Sequence, residues 1–387
     1  MKENNKNLIY LNNAATSYPK PNDVKEAIIN ALDNITSVGR SSGNGIINAD
    51  HLLLKTRSII GKLFNIEDPN RIIFTQNCTE ALNYAIKGVL KKGDHVVMDN
   101  TAHNSLARPL ITLEKEGLIT ITRINPREDY YFDTEEIKSK INDKTKLVAF
   151  SHSSNVIGVI QDINAIGSIV NNTNALFLVD AAQTAGQISI DVKSMSIDLL
   201  ASAGHKSLFG PTGTGILYIS DKVTDLKTIK EGGTGSHSEL LIQPDELPSM
   251  FESGTHNVIG IAGLCKGIEY ILEVGIHRIR EHEIQLTQTF LDGIKDLKNL
   301  KIYGNCNASK LSSTVSITAN DFDVSELGII LADSFNIITR TGLHCAPLAH
   351  SFLDTKDKGG TLRISPGYFN SISDIEITIN SLKEILS

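Results

Sequence analysis

Short apolar runs alternate with helical patterns along the first two thirds of this 387-residue chain. Arg71-Ile-Ile-Phe-Thr75, His95-Val-Val-Met98, Lys146-Leu-Val-Ala-Phe150, Leu176-Phe-Leu-Val-Asp180, Ile197 to Leu200 and Gly213 to Ile219 have the length and composition of strands,. Leu8-Ile-Tyr-Leu11 predicts a shorter extended segment ahead of a small-residue turn, Asn12-Asn-Ala-Ala-Thr16. Apolar positions three and four apart predict helices over about Asp23–Asn34, from Thr79 onward, and over one long stretch from Ile259 to about Asp296,. Strand, helix and strand in repetition predict an α/β fold with a mainly parallel sheet and right-handed crossovers. The strand ends at 75, 98, 150, 179 and 201 then share one edge, where open α/β sheets bind ligands. Each delivers one candidate contact to that edge.

Two of those ends carry complementary chemistry. Lys206, in Ser202-Ala-Gly-His-Lys206, lies between an apolar run and the glycine-rich Gly210-Pro-Thr-Gly-Thr-Gly215. A lysine enclosed at such a junction loses charge and becomes a nucleophilic amine; in isolation the same tripeptide is more often a solvated loop. Asp180 ends the preceding apolar strand, and the amide of Gln183 follows three residues later. An amine for an aldehyde, an acid for a pyridine nitrogen and a hydrogen-bonding side chain for a ring hydroxyl are what pyridoxal phosphate requires. Asn77, Cys78 and Thr79 fall at a helix N-terminus, which favours a phosphate; capping by Thr79 is the plainer alternative.

The pairing of Val179-Asp-Ala-Ala-Gln183 with Gly204-His-Lys206 and Gly210-Pro-Thr-Gly-Thr-Gly215, followed by Arg340-Thr-Gly-Leu-His-Cys-Ala346, resembles the cysteine desulfurase and selenocysteine lyase branch of the class V aminotransferases. The resemblance runs from about Tyr10 to about Ile377. It implies fold type I: a large domain over 21–255 with a mainly parallel seven-stranded sheet, and a smaller α+β domain from 1–20 and 256–387 that carries the sulfur-accepting loop. It implies pyridoxal 5'-phosphate on Lys206, with contacts from Asp180, Gln183, Cys78, Thr79, Asn155, Ser202 and His205. Thr255, in Phe251-Glu-Ser-Gly-Thr255, would reach the phosphate of a neighbouring subunit, hence a homodimer.

His103 falls where the family stacks an imidazole on the pyridine ring. Arg363 matches the arginine that grips the substrate α-carboxylate in a planar bidentate pair, and Asn155, Arg340, Arg40 and Ala15 fall around the same substrate. The implied reaction converts L-cysteine to L-alanine and leaves the sulfur on Cys345 as a persulfide for an acceptor that the sequence does not identify. L-selenocysteine is the alternative substrate; another β-eliminating lyase, an aminotransferase, or a silent sulfur-carrier scaffold is the alternative activity. A thiol beside His344 would be partly ionised by a neighbouring cation or donor. Several positions depart from the family pattern: Cys78 replaces a hydroxyl residue, Ala203 stands where a serine is usual, His256 replaces proline, and Leu343 replaces the first of two histidines.

Composition narrows this picture without redirecting it. Hydrophobic content of 41% and charged content of 21% are those of an ordinary globular protein,. A net charge of −7 argues against a general binder of nucleic acid or anionic membrane,. The polar start Met1-Lys-Glu-Asn-Asn-Lys-Asn7 shows no targeting pattern, so a cytoplasmic location is expected,. Cys78, Cys265, Cys306 and Cys345 form no Cys-x-x-Cys pair, and His344, Cys345 and His350 lack zinc spacing, so free thiols and no metal are expected,.

Overall fold

The alternation of strands and helices takes shape in a computed structural model whose described residues are 8–34, 49–235 and 239–387. The first part of the chain supplies β1 (Ile9–Tyr10), α1 (Asn22–Asn34), α2 (Ala49–Phe64), β2 (Ile72–Thr75), α3 (Cys78–Val89), β3 (His95–Asp99), α4 (Asn104–Lys115) and β4 (Thr120–Ile124). The middle supplies α5 (Thr134–Lys140), β5 (Thr145–Ser151), α6 (Ile163–Val170), β6 (Leu176–Asp180), β7 (Leu199–Ala203), β8 (Gly215–Ile219), α7 (Val258–Val274) and α8 (Ile276–Ile294). The last part supplies β9 (Leu300–Tyr303), β10 (Val315–Ala319), α9 (Val324–Phe335), β11 (Ile337–Ile338), β12 (Arg340–Gly342), α10 (Pro347–Phe352), β13 (Thr361–Ile364) and α11 (Ile372–Leu386).

Seven strands form one sheet in the order β2-β8-β7-β6-β5-β3-β4. The pairs from β7 to β4 are parallel, and β8 runs antiparallel to β2 and β7. The sheet is covered on both faces, which is why its central strands read as unbroken apolar runs. Along β6, Phe177 and Val179 enter one core with Phe150, Leu200 and Ile268, while Leu176 and Leu178 enter the other with Ile73, Ile86 and Leu217. Gly215 lets β8 pass beneath the start of α3: a Cβ there would lie 2.5 Å from the Asn77 carbonyl carbon.

A second, antiparallel sheet, β12-β13-β10-β9, packs with α8, α9 and α11 around Leu286, Phe290, Ile317, Leu331, Leu362 and Leu382. The N-terminus joins this lobe, because β1 pairs in parallel with β11 and Asn12 bridges to Ser365. The segment after β1 is thereby carried across the edge where the strands of the large sheet end.

Two expectations change. The long helix predicted from Ile259 to Asp296 is broken at Gly275, whose φ of +87° no other residue adopts cheaply, giving α7 and α8,. Ile261, Leu264, Cys265, Ile268 and Ile271 of α7 pack in the core of the large sheet, so a boundary at 255/256 does not follow the packing. The change of core falls within α8, between Ile279 and Leu286.

Candidate active site

At the C-terminal end of β7 the chain turns through Gly204-His205-Lys206, closed by the Gly204 N–H to Thr214 at 2.9 Å and the Phe209 N–H to Lys206 at 2.9 Å. The N-terminal segment clamps this turn from the other side. The His205 carbonyl accepts from Lys20 Nζ at 2.6 Å, Thr16 Oγ1 at 3.0 Å and the Ser17 N–H at 3.2 Å. Ser17 Oγ donates to the Lys206 carbonyl at 2.8 Å. The amine of Lys206 is pushed down by burial, with the opposite charge of Asp180 holding it up and the cations Arg363 and Arg340 pressing it lower. The sequence reading expects a nucleophilic amine at this sheet edge, and the lowered basicity of Lys206 is compatible with that,.

Asp180 ends β6, buried, with one carboxylate oxygen accepting from the Ala182 N–H at 3.0 Å and from Cys78 Sγ at 3.6 Å. Burial raises its affinity for a proton, while the Ala182 N–H and Lys206 favour the ionised form. The Cys78 thiol is held well above its ordinary range, first by burial and then by Asp180. It is therefore a protonated donor rather than a nucleophile. Cys78 is the first residue of α3, and the cap is Asn77, whose Oδ1 accepts from the Glu80 N–H at 2.9 Å, not Thr79. Gln183 ties the N-terminal segment down through Nε2 to the Ala14 carbonyl at 3.1 Å.

These groups line one cavity of about 210 Å3 together with Ala15, Thr79, His103, Asn155, His205, Arg340 and Arg363. Ser202 does not join them. Successive side chains of a strand point to opposite faces, and it is Ala203 of β7 that lines the cavity; the buried Ser202 Oγ has no partner. Thr255 is exposed beside a separate hollow with Glu252 and Lys230. Arg40 lies outside the described residues.

The opposite wall holds Arg340, His344 and Arg363. Arg363 is wholly buried on β13, donating through Nη1 to the Asn155 carbonyl at 2.9 Å and through Nη2 to Asn12 Oδ1 at 3.1 Å. Its Nε has no partner. Cys345 is exposed, its backbone held by the Asn104 N–H to its carbonyl at 2.8 Å. His344 and Cys345 both take left-handed φ values, +47° and +58°.

The sequence placed His344 beside the thiol, and the structure corrects this. His344 is buried, its Nε2 on Thr361 Oγ1 at 3.0 Å, and burial with Arg363 pushes it down to about 2. The cation beside the sulfur is Arg340, whose Nη2 is 3.4 Å from Sγ. His103 caps α4, its Nδ1 accepting from the Ser105 N–H at 3.1 Å. Its proton therefore sits on Nε2, and burial with Lys206 and Arg340 pushes the ring down to about 4, so it is neutral.

A family model described as aminotransferase class-V matches residues 9–377. The chain belongs to the class-V aminotransferase family. This family member is 32% identical, over 97% of its length and 94% of the relative's, to a probable cysteine desulfurase of Methanothermobacter thermautotrophicus. It is 33% identical, over 100% and 93%, to a probable cysteine desulfurase of Borreliella burgdorferi. Among solved structures, the apo cysteine desulfurase of Thermococcus onnurineus superposes with a TM-score of 0.91 at 32% identity, covering 98% of this chain and 94% of that one.

Asn12, Thr16, Ser17 and Lys20 at the site were missed by the sequence reading. The sequence reading had the small-residue turn Asn12–Thr16 before Tyr18-Pro-Lys-Pro21 and, within it, singled out Ala15 alone.

Proposed function

We propose that this protein is a pyridoxal phosphate-dependent cysteine desulfurase that converts L-cysteine to L-alanine and receives the sulfur on Cys345. The observation that carries this reading is the convergence on one cavity of an amine, a buried acid and a buried guanidinium, with a thiol 3.4 Å from Arg340, which lines that cavity. Class-V aminotransferases depend on pyridoxal phosphate, and the residues present fit it. The Lys206 amine suits its aldehyde, Asp180 its ring nitrogen, and the first turn of α3 with Thr79 its phosphate. The buried, unpaired Nδ1 of half-buried His205 is a further polar atom awaiting a partner at the same wall.

When bound, the coenzyme withdraws electrons from the substrate α-carbon and so loosens the carbon–sulfur bond. Arg363, with no carboxylate in ion-pair range among the described residues, holds the substrate carboxylate. Lys206 takes and returns the α-proton at Nζ, its neutral form being available because burial lowers its basicity. His103, neutral with its proton on Nε2, offers that N–H as a hydrogen-bond donor on the substrate's side of the cavity,. Cys345 Sγ, 3.4 Å from Arg340 Nη2, attacks the substrate sulfur and keeps it as a persulfide, the bonding pair of the broken carbon–sulfur bond staying with the alanine carbon.

The exposure of Thr255 outside its own cavity supports a homodimer in which it serves the other copy's phosphate. No helix among the described residues is long and apolar enough to cross a membrane, and Cys306 and Cys345 stand exposed as free thiols, which supports a reducing, cytoplasmic setting.

The test is alanine and sulfide release from L-cysteine by the yellow holoprotein, with Lys206→Ala and Cys345→Ala alongside. Lys206→Ala should lose the coenzyme's characteristic absorbance, and Cys345→Ala should keep it while losing sulfur transfer. Faster alanine release from L-selenocysteine, undiminished in Cys345→Ala, would replace the reading with a selenocysteine lyase.

A further inference from the structure

Cys345 does not line the inner cavity. It stands at the head of a second, larger hollow of about 450 Å3 between α3 and α4. The two hollows share Thr79, His103 and Ser105, so one opens beside the other. Helical spacing builds the outer one: Thr79, Asn83 and Lys87 recur every fourth residue along α3, and Asn104, Arg108 and Thr112 do so along α4, which places each trio on one helix face,. α4 begins beside Cys345, the Asn104 N–H donating to its carbonyl at 2.8 Å, so the positive dipole end of that helix lies there as well,. The lining holds two cations, Lys87 and Arg108, and no carboxylate, although the chain as a whole carries a net charge of −7. Neither cation has an ion pair among the described residues, and Arg108 is close enough to His103 to help hold that ring neutral.

We propose that the α3–α4 cleft binds a small anionic sulfur nucleophile, a thiol bearing a carboxylate or a sulfur oxyanion, which removes the sulfur from Cys345. This rests on the desulfurase reading above. In the step, the nucleophile's sulfur attacks the outer sulfur of the Cys345 persulfide. The new sulfur–sulfur bond forms as the bond to Cys345 Sγ breaks, and Sγ leaves as a thiolate beside Arg340. The acceptor sulfur is oxidised by as much as Sγ is reduced. A thiol acceptor leaves as its own persulfide; sulfite leaves as thiosulfate, with the proton released to solvent. The cleft wall supplies charge, not chemistry: Lys87 and Arg108 attract the anion and the N-terminal end of α4 orients it toward Cys345.

The experiment compares 3-mercaptopropionate, its uncharged analogue 3-mercaptopropanol, and sulfite as acceptors for the holoenzyme turning over L-cysteine. Variants are Arg108→Gln, Lys87→Gln and both together. The charged acceptors should saturate, and the double variant should raise their half-saturating concentration about tenfold, as expected for two partly solvated cations. It should leave the neutral thiol unaffected and still form alanine in the first turnover without any acceptor. Thiosulfate binding to the Arg363→Met holoprotein, followed by calorimetry, should weaken by the same factor, a readout independent of turnover. Equal response of charged and neutral thiols, or thiosulfate binding untouched by the double variant, overturns the proposal. So does failure of every small acceptor to saturate while an acidic protein does. Loss of first-turnover alanine in the wild type would instead sink the desulfurase reading.

Discussion

Replacing Arg363 by methionine should separate ligand binding from folding. The guanidinium is wholly buried and donates only to the Asn155 carbonyl and Asn12 Oδ1. Burial and the like charge of Arg340 push it down to about 9 from the usual 12.5. A buried ion without an opposite charge costs several kcal/mol even after relaxation. Methionine keeps much of the apolar stem, abolishes that cost and leaves two acceptors unpaired, at about 1–3 kcal/mol each. The terms oppose and are of similar size, so the unfolding free energy should move by no more than about 2 kcal/mol.

Binding has no such compensation. Loss of a desolvated guanidinium–carboxylate pair, about 3–5 kcal/mol, lowers kcat/KM for L-cysteine roughly 10²- to 10⁴-fold. Urea unfolding and alanine-release kinetics give the two quantities. A third comes from L-alanine, which carries the same carboxylate: at a hundred times its Kd it should stabilise the wild type by about 2.7 kcal/mol and the variant by far less. If Arg363→Met unfolds far more easily yet L-alanine still stabilises it, Arg363 is a structural residue and the carboxylate clamp is wrong.

Brief iodoacetamide treatment of the native protein should label Cys345 and Cys306, both exposed, roughly a hundredfold faster than Cys78, whose buried thiol stays protonated beside Asp180,; mass spectrometric mapping reads this, and labelling of Cys78 at the rate of Cys345 would contradict it. Acid should destabilise the fold early. Burial pushes His103, His152, His205 and His350 down to about 4 and His344 to about 2, so below the ordinary 6.5 the unfolded chain binds more protons than the folded one. Their contribution is complete above pH 6.5 and is lost as pH falls toward 4, by a few kcal/mol per pH unit near pH 5, since each proton counts about 1.4. Equal urea midpoints at pH 5 and pH 7 would refute this. Glu283 acts with the opposite sign: burial raises it to about 7 from 4.5 beside Gln187 and Ser313, so the folded form holds its proton longer and stability falls as pH rises from 4.5 to 7. Glu283→Gln should remove that slope and stabilise the protein at pH 8 by roughly 2–3 kcal/mol, measured by urea unfolding.

What the sequence could disclose was local. Lys206 and Asp180 were legible because each follows an apolar run at a strand end, and strand ends of a parallel sheet meet at one edge. The face of Ser202 was not, since the phase of β7 depends on which layer covers which side, and α3 lies against the face of Ala201 and Ala203. His344 was misjudged for a related reason. Adjacent residues in the left-handed region turn their side chains apart, so proximity in sequence put the imidazole on Thr361 and left Arg340, five positions away, beside the sulfur. The clamp of Thr16, Ser17 and Lys20 on the lysine turn joins segments nearly two hundred residues apart, beyond any periodicity.

The departures at Cys78 and Ala203 gain meaning only once the fold joins them. Both line the same cavity, so two hydroxyls usual in the family are missing from one corner. On the function proposed above, anion binding there would lean on Thr79, the unpaired Nδ1 of His205 and the amide protons of the first turn of α3,. Backbone amides cannot be removed by a change of side chain, so under the proposed function such a corner would tolerate both substitutions while Lys206 and Asp180 stay in place.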